Sequence, residues 1–277
     1  MIKQKTRHTD KSLINFPVVF TPLMITNPLY RDVKGNAGQA IVRVDTKRII
    51  TIASEYYEPL THIDKINNME QVLRDLGINF ELFDINIGGV SGNRVFLNYI
   101  LPTYKFDVEG DIFVPFIQIY SAYDRYLSTG YYSGLYNTST TSAVIVRKGL
   151  NLVKRKALWG NVKFNDSMID IGGWITELGA VRRKLKKLKL DKNVDNSSNI
   201  VTAIIEKKKH QLNFYKAKIL ESYIEICDFS EYSLLNSLMD YVTHYMNDEK
   251  KKRSYDRIRH AQILIGDKFL NLKGGLM

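Results

Sequence analysis

The sequence predicts an α+β protein: an antiparallel, hairpin-rich sheet with a packed helix, followed by a basic, all-helical C-terminal region. Three observations carry this. Short β-branched and aromatic runs alternating at period two fill most of the stretch up to Val146. All six prolines (Pro17, Pro22, Pro28, Pro59, Pro102, Pro115) lie at or before position 115, so nothing later breaks a helix this way. Beyond Gly149 the apolar residues recur every three or four positions, the period of an amphipathic helix.

Residues 1–38 read as an irregular arm in which Val18–Phe20 and Leu23–Ile25 are too short and interrupted for a helix. The α+β core spans 39–160. Ala40–Val42 and Ile49–Ile52 flank Asp45-Thr46-Lys47 and predict a hairpin. Thr61 to Leu76 is the first helix, with Thr61 as N-cap, Asp64 in the first turn, Gly77 past the end, and one apolar stripe of Ile63, Ile66, Met69, Leu73 and Leu76. Strands follow around Ile78–Leu82, Arg94–Leu101, Asp111–Tyr120 and Ser142–Arg147. Pro115 pushes the third of these toward a sheet edge or a bulge. Lys34–Gly38 reads as a turn, and Gly88–Asn93 as a hairpin tip.

Residues 161–277 form the helical basic region. Trp174, Leu178, Val181, Leu185 and Leu188 make one stripe from about Ile169 to Leu190. Residues 191–199 are a polar break. Helical patterning resumes over 200–226, again after a Ser230 cap, and over roughly 255–269 behind the basic knot 250–253.

Overall the chain has 277 residues, 44% hydrophobic and 25% charged, an ordinary globular balance. No apolar run approaches the roughly 18 residues of a membrane span. Neither does the N-terminus resemble a secretory leader, and the expected location is the cytoplasm, that of the host if the gene is phage-borne. The single cysteine, Cys227, excludes an intramolecular disulfide and a Cys-rich zinc site. The net charge of +11 is one-sided: residues 1–138 hold 14 basic and 14 acidic side chains, and residues 139–277 hold 26 and 15.

Motifs for bond-making chemistry are missing. The five histidines are scattered, and the sequence has no nucleophile elbow, no phosphate loop and no paired zinc motif, so no cofactor, no metal and no catalytic residue is expected. Asp107, Glu109, Asp111 and Asp124 cluster around the strands, as a solvated strand edge or as Mg²⁺ ligands of a metal-dependent nuclease.

The constellation that stands out is aromatic plus basic. Eight of the 17 tyrosines fall between Tyr99 and Tyr136, and residues 147–192 hold 13 basic and 4 acidic side chains. Single-strand binders combine a positive groove with rings on which bases stack. The candidate nucleic-acid-binding residues are Arg147, Lys148, Lys154, Arg155, Lys156, Lys163 and Arg125 for phosphates, and Tyr120, Tyr123 and Tyr126 for bases. The competing reading packs about half of the tyrosines in the sheet and leaves the lysines to solvate a helix.

Ile117–Arg125 and Ala143–Asn151 resemble two motifs of a phage- and plasmid-encoded family known as a domain of unknown function. These are a strand ending in an Asn-Ser-His/Tyr-Asp-Gly-Ser-like loop and an Arg-Val-Val-Cys-x-Asn-Gly-Leu-like strand exit. The likeness runs from about Gln39 to Trp159, with Arg125 where the family has Gly, Lys148 where it has Asn, and no Cys. The element order also resembles single-strand annealing recombinases at the level of fold. That resemblance implies a DNA-binding protein engaging single-stranded DNA in annealing or recombination, assembled as a homo-oligomer. The alternative is a non-enzymatic phage protein whose partner is a virion component or a host defence protein.

Overall fold

In β7 (Asp111–Ala122) Phe113, Ile117 and Ile119 point to one side, Phe116, Gln118 and Tyr120 to the other, and all six are buried. A strand buried on both faces has other elements packed on either side of its sheet. The computed structural model describes residues 9–26, 34–57, 60–88, 92–123, 129–153, 157–158, 163–190, 230–245 and 254–272. The loop expected at 191–199, the helix expected over 200–226, Cys227 and the basic knot lie outside them. The expected α+β class holds, with antiparallel sheets and helices toward the C-terminus.

The main sheet runs β10 (Ala157–Leu158), β8 (Thr129–Asn137), β7, β5 (Arg94–Ile100), β4 (Glu81–Gly88). Short β6 (Phe106–Val108) pairs with the start of β7, and β9 (Ser142–Ile145) with the end of β8. Pro115 is therefore central rather than at an edge. Its carbonyl accepts from Leu101 N at 2.8 Å, so its nitrogen faces the same side, where β6 has ended and β5 begins only at Phe116. The missing N–H falls in a gap that no partner strand fills.

A second, three-stranded sheet holds β1 (Val18–Thr26), β2 (Lys34–Arg43) and β3 (Arg48–Ala53) in that order. The expected hairpin is β2–β3. The boundary expected at residue 38 is not a structural one, because it cuts β2. The supposed arm contributes a full strand: β1 is an edge, where Pro22 is tolerated. Lys34–Gly38 lies in β2, with a register shift opposite Leu23/Met24 and Gly38 at φ +104°, so the glycine serves a bulge and not a turn.

Helix α1 (His62–Asp75) forms as its sequence demands, Thr61 Oγ1 accepting from Asp64 N at 3.1 Å and Gly77 at φ +68°. It covers the inner face of the sheet, the side of Ile117 and Ile119. There Tyr99 Oη donates to Glu70 at 2.5 Å, and Lys11 reaches the same carboxylate at 2.6 Å. Helix α2 (Ile171–Leu190) buries the five stripe residues Trp174, Leu178, Val181, Leu185 and Leu188. Helix α3 (Glu231–Asp240), capped by Ser230 onto Ser233 N, is buried from Tyr232 to Met239 and continues into a π turn (Tyr241–Tyr245). Helix α4 (Ser254–Phe269) lies against β9, with Gly266 on the Ile145 carbonyl. No helix among the described residues is long and apolar enough to cross a membrane.

Two glycines of β8 shape the outer face. Gly130 pairs with Tyr120 and Gly134 with Phe116, and each ring lies over its glycine. A Cβ on Gly134 would stand 2.3 Å from both the Phe116 ring and the Val144 carbonyl. Gly134→Ala should therefore cost about 1–3 kcal/mol and lower the melting temperature by several degrees. Gly172→Ala, whose Cβ meets nothing within 4 Å, should leave it unchanged or raise it. Thermal melts of the two variants check the pair.

Candidate nucleic-acid interface

The basic region expected from the sequence is partly a helix face. Because the apolar stripe of α2 turns inward, Arg182, Arg183, Lys186 and Lys187 are left exposed on the opposite side. Residues 182 and 186, like 183 and 187, are neighbours at i,i+4, so the four make a ridge along the last two turns. The helix C-terminus favours cations there. Two other lysines of α2 have structural work. Lys184 Nζ donates to the Asn271 carbonyl at 2.7 Å, and burial lowers its pKa. Lys189 Nζ meets the Glu109 carboxylate at 3.4 Å and lies 5.4 Å from the centroid of the Tyr232 ring.

The turn after β9 lies beside this helix. Lys148 is exposed there, its carbonyl accepting from Leu272 N at 2.9 Å, next to the Asn271 that holds Lys184. Asn151 N donates to Glu177 of α2 at 2.6 Å. Arg147, in the same turn, donates to Asp267 of α4 at 2.5 Å, so part of its charge is compensated. Lys163 is exposed on a different segment, whose Phe164 N donates to Asn68 of α1. Lys154, Arg155, Lys156, Arg125 and Tyr126 lie outside the described residues.

The stacking tyrosines are a correction. Tyr120 is 6% exposed and Tyr123 is 1% exposed, so neither offers an open face to a base. Tyr120 is on the outer face, flat against Tyr132 with ring centroids 5.2 Å apart. Tyr123 lies 4.0 Å from the His62 ring. The Gly-Tyr-Tyr-Ser-Gly run, residues 130–134, lies in strand β8. Its glycines make room for rings of the neighbouring strand.

Tyr123 belongs to a buried polar knot on the inner face. His62 N donates to Tyr123 Oη at 2.9 Å, and His62 Nδ1 is 2.8 Å from Ser121 Oγ. Lys65 Nζ donates to the same hydroxyl at 3.3 Å. Phe16 stands edge-on to His62 at 5.7 Å and carries the Arg43 guanidinium at 3.9 Å, which joins the three-stranded sheet to this knot. Burial pushes Lys65 down to about 8, and burial followed by the neighbouring Lys65 charge holds His62 well below its ordinary value.

Sequence reasoning missed Arg259. On α4 its guanidinium stands 4.8 Å from the centroid of Tyr120, 5.2 Å from Phe96 and 5.5 Å from Tyr132. Such a cation–aromatic arrangement compensates for the loss of water around the charge. No local signal marks it: Tyr120 and Tyr132 lie on different strands and share a face only through the pairing of β7 with β8, and the helix that lies on them is far away in sequence. The carboxylates considered for a metal are otherwise engaged: Asp111 accepts from Tyr232 Oη, Asp107 from Gly110 N, and Glu109 pairs with Lys189. Asp124 lies outside the described residues, and among those described no three potential ligands come together. Compared with known proteins, the chain matches no family model, no curated protein and no solved structure.

The pKa of Lys65 makes a stability test. In the unfolded chain Lys65 titrates near 10.5 and in the folded protein near 8, so between those values the unfolded state binds more protons. Stability from this group therefore rises as pH goes from 8 to 10.5 and is penalised at every pH below. Lys65→Met should stabilise the protein at pH 7 by up to roughly 3 kcal/mol, with the advantage shrinking toward pH 10.5. Urea denaturation of both proteins across that range measures it.

Proposed function

We propose that this is a non-enzymatic nucleic-acid-binding protein that holds phosphates along the exposed ridge of α2. The observation that carries the reading is the segregation of charge. The neutral half builds most of the two sheets, while the half bearing all the excess presents Arg182, Arg183, Lys186 and Lys187 to solvent. Lys148, tied to α2 through the Asn271–Leu272 segment, extends the same contact. Neutralising phosphates releases counterions, so binding of this kind needs no pocket and no chemistry. The resemblance in sequence favours single-stranded DNA, annealing or recombination in a host cytoplasm, and assembly as a homo-oligomer.

A second reading, a protein partner, is favoured by the three-stranded sheet. Val19, Val42 and Ile49 share one register row, and Ile52 stands on the same face. Ile49 and Ile52 are more than half exposed, as is unusual for isoleucine.

Oligonucleotide affinity measured against salt tests the first reading. Four phosphate contacts give a log–log slope of about −3 on a single strand. Arg183→Glu with Lys187→Glu should weaken binding more than about tenfold at moderate salt and flatten the slope, with the melting temperature unchanged. A flat salt dependence in the unmodified protein removes the proposal and leaves the protein-partner reading.

A further inference from the structure

The three-stranded sheet ends on an open strand. Its order is β1–β2–β3, and among the described residues β3 has no partner on its outer side. Such an edge offers a row of backbone N–H and C=O groups to another strand. The sequence of β3, Arg-Ile-Ile-Thr-Ile-Ala, is rich in β-branched residues and has no proline, glycine or acidic residue to discourage pairing. The other edges are guarded. β1 carries Pro22 with a register shift close by, β4 has a register shift beside the buried Asp84 carboxylate, and β10 is only two residues long.

β3 has a bulge of its own, and this one makes the strand self-complementary. Ile41 pairs with Thr51 and Val42 with Ile49, so Ile50 is the extra residue. Across it Ile49 and Ile52 fall on one face, opposite Val42 and Ala40, and both are more than half exposed. Because Ala40 and Val42 are two apart on β2, Ile49 and Ile52 also share one hydrogen-bonding sense. A second β3 laid antiparallel about a two-fold axis therefore sets Ile49 opposite Ile52 of the second copy, twice, with matched faces and matched backbone groups. Charge agrees with this direction. Lys47 and Arg48, exposed at the head of β3, come beside Glu55, exposed just past the tail of the second copy. A parallel arrangement would set Arg48 against Arg48 instead.

We infer that β3 pairs antiparallel with β3 of a second copy of this chain, joining the two three-stranded sheets into one. The apolar row Val19–Val42–Ile49 then continues through Ile52, Ala40 and Thr21 of the second copy. Main-chain hydrogen bonds supply the contact, and the isoleucine pairs fix its register. The inference rests on the homo-oligomer proposed above and gives it a surface. It does not depend on the cationic ridge of α2.

Sedimentation velocity on the full chain, without nucleic acid, reads the assembly. The unmodified protein should pass from monomer to dimer as its concentration rises through the micromolar range. Ile49→Lys with Ile52→Lys sets ammonium groups opposite one another at both pairs and should weaken dimerisation more than about tenfold. Both side chains already face solvent, so the melting temperature at low protein concentration should not change. Cysteines check the register in a Cys227→Ser background. Ile49→Cys and Ile52→Cys proteins should form a disulfide-linked dimer when mixed, and neither should do so alone, because each position faces the other and not its own copy. A monomer at every concentration overturns both this pairing and the homo-oligomer. A dimer of unchanged affinity in the lysine variant, or cysteines that do not link when mixed, overturns the β3 pairing alone and puts the contact elsewhere. The cysteine result decides the register even if the lysine variant folds poorly.

Discussion

Two missing side chains hold the outer face of this protein together. Gly130 and Gly134 leave gaps in β8, and the rings of Tyr120 and Phe116 from β7 lie across them. With rings flat on the sheet, a helix can approach closely, and α4 does so at a third glycine, Gly266, on the Ile145 carbonyl. Any side chain at these positions would lift the rings or the helix. Arg259 of α4 packs onto this thin layer, over the rings of Tyr120, Phe96 and Tyr132.

The inner face follows a different rule. It is built on aliphatic stripes of α1 and α2, but its polar groups are tied into networks that fix neighbouring elements. Glu70 gathers Tyr99 and Lys11; His62, Ser121 and Tyr123 form the knot against which Phe16 packs. Buried polar groups satisfied in this way specify one arrangement rather than add much net stability. Lys65 is the costly member, a buried ammonium whose bond among the described groups goes to a hydroxyl.

The charge of +11 divides along the same lines. Lys65, Lys184, Lys189 and Arg147 are absorbed by the fold, through burial, a carbonyl, or an acidic partner. What faces solvent on α2 is a compact set of four cations on rigid backbone. Local spacing made that set readable: Trp174, Leu178, Val181, Leu185 and Leu188 fix the inward face, and the cations take what remains. The helix caps at Thr61 and Ser230 were legible for the same reason, since capping needs only residues three apart. Strand β8 was not legible. Its glycines and tyrosines satisfy no local rule for a strand until β7 is laid beside it.

By itself the sequence determined the class of the fold, the boundaries of α1, α2 and the capped start of α3, and the half of the chain that carries the charge. Each of these depends on residues within one or two turns of each other. Only the tertiary structure decided that Tyr120 and Tyr123 are core rings, that Pro115 occupies a gap between partner strands, that β1 completes a second sheet, and that Arg259 meets residues more than a hundred positions away. Those outcomes depend on which strand neighbours which, and pairing over such separations is set by the fit of whole faces rather than by any local preference.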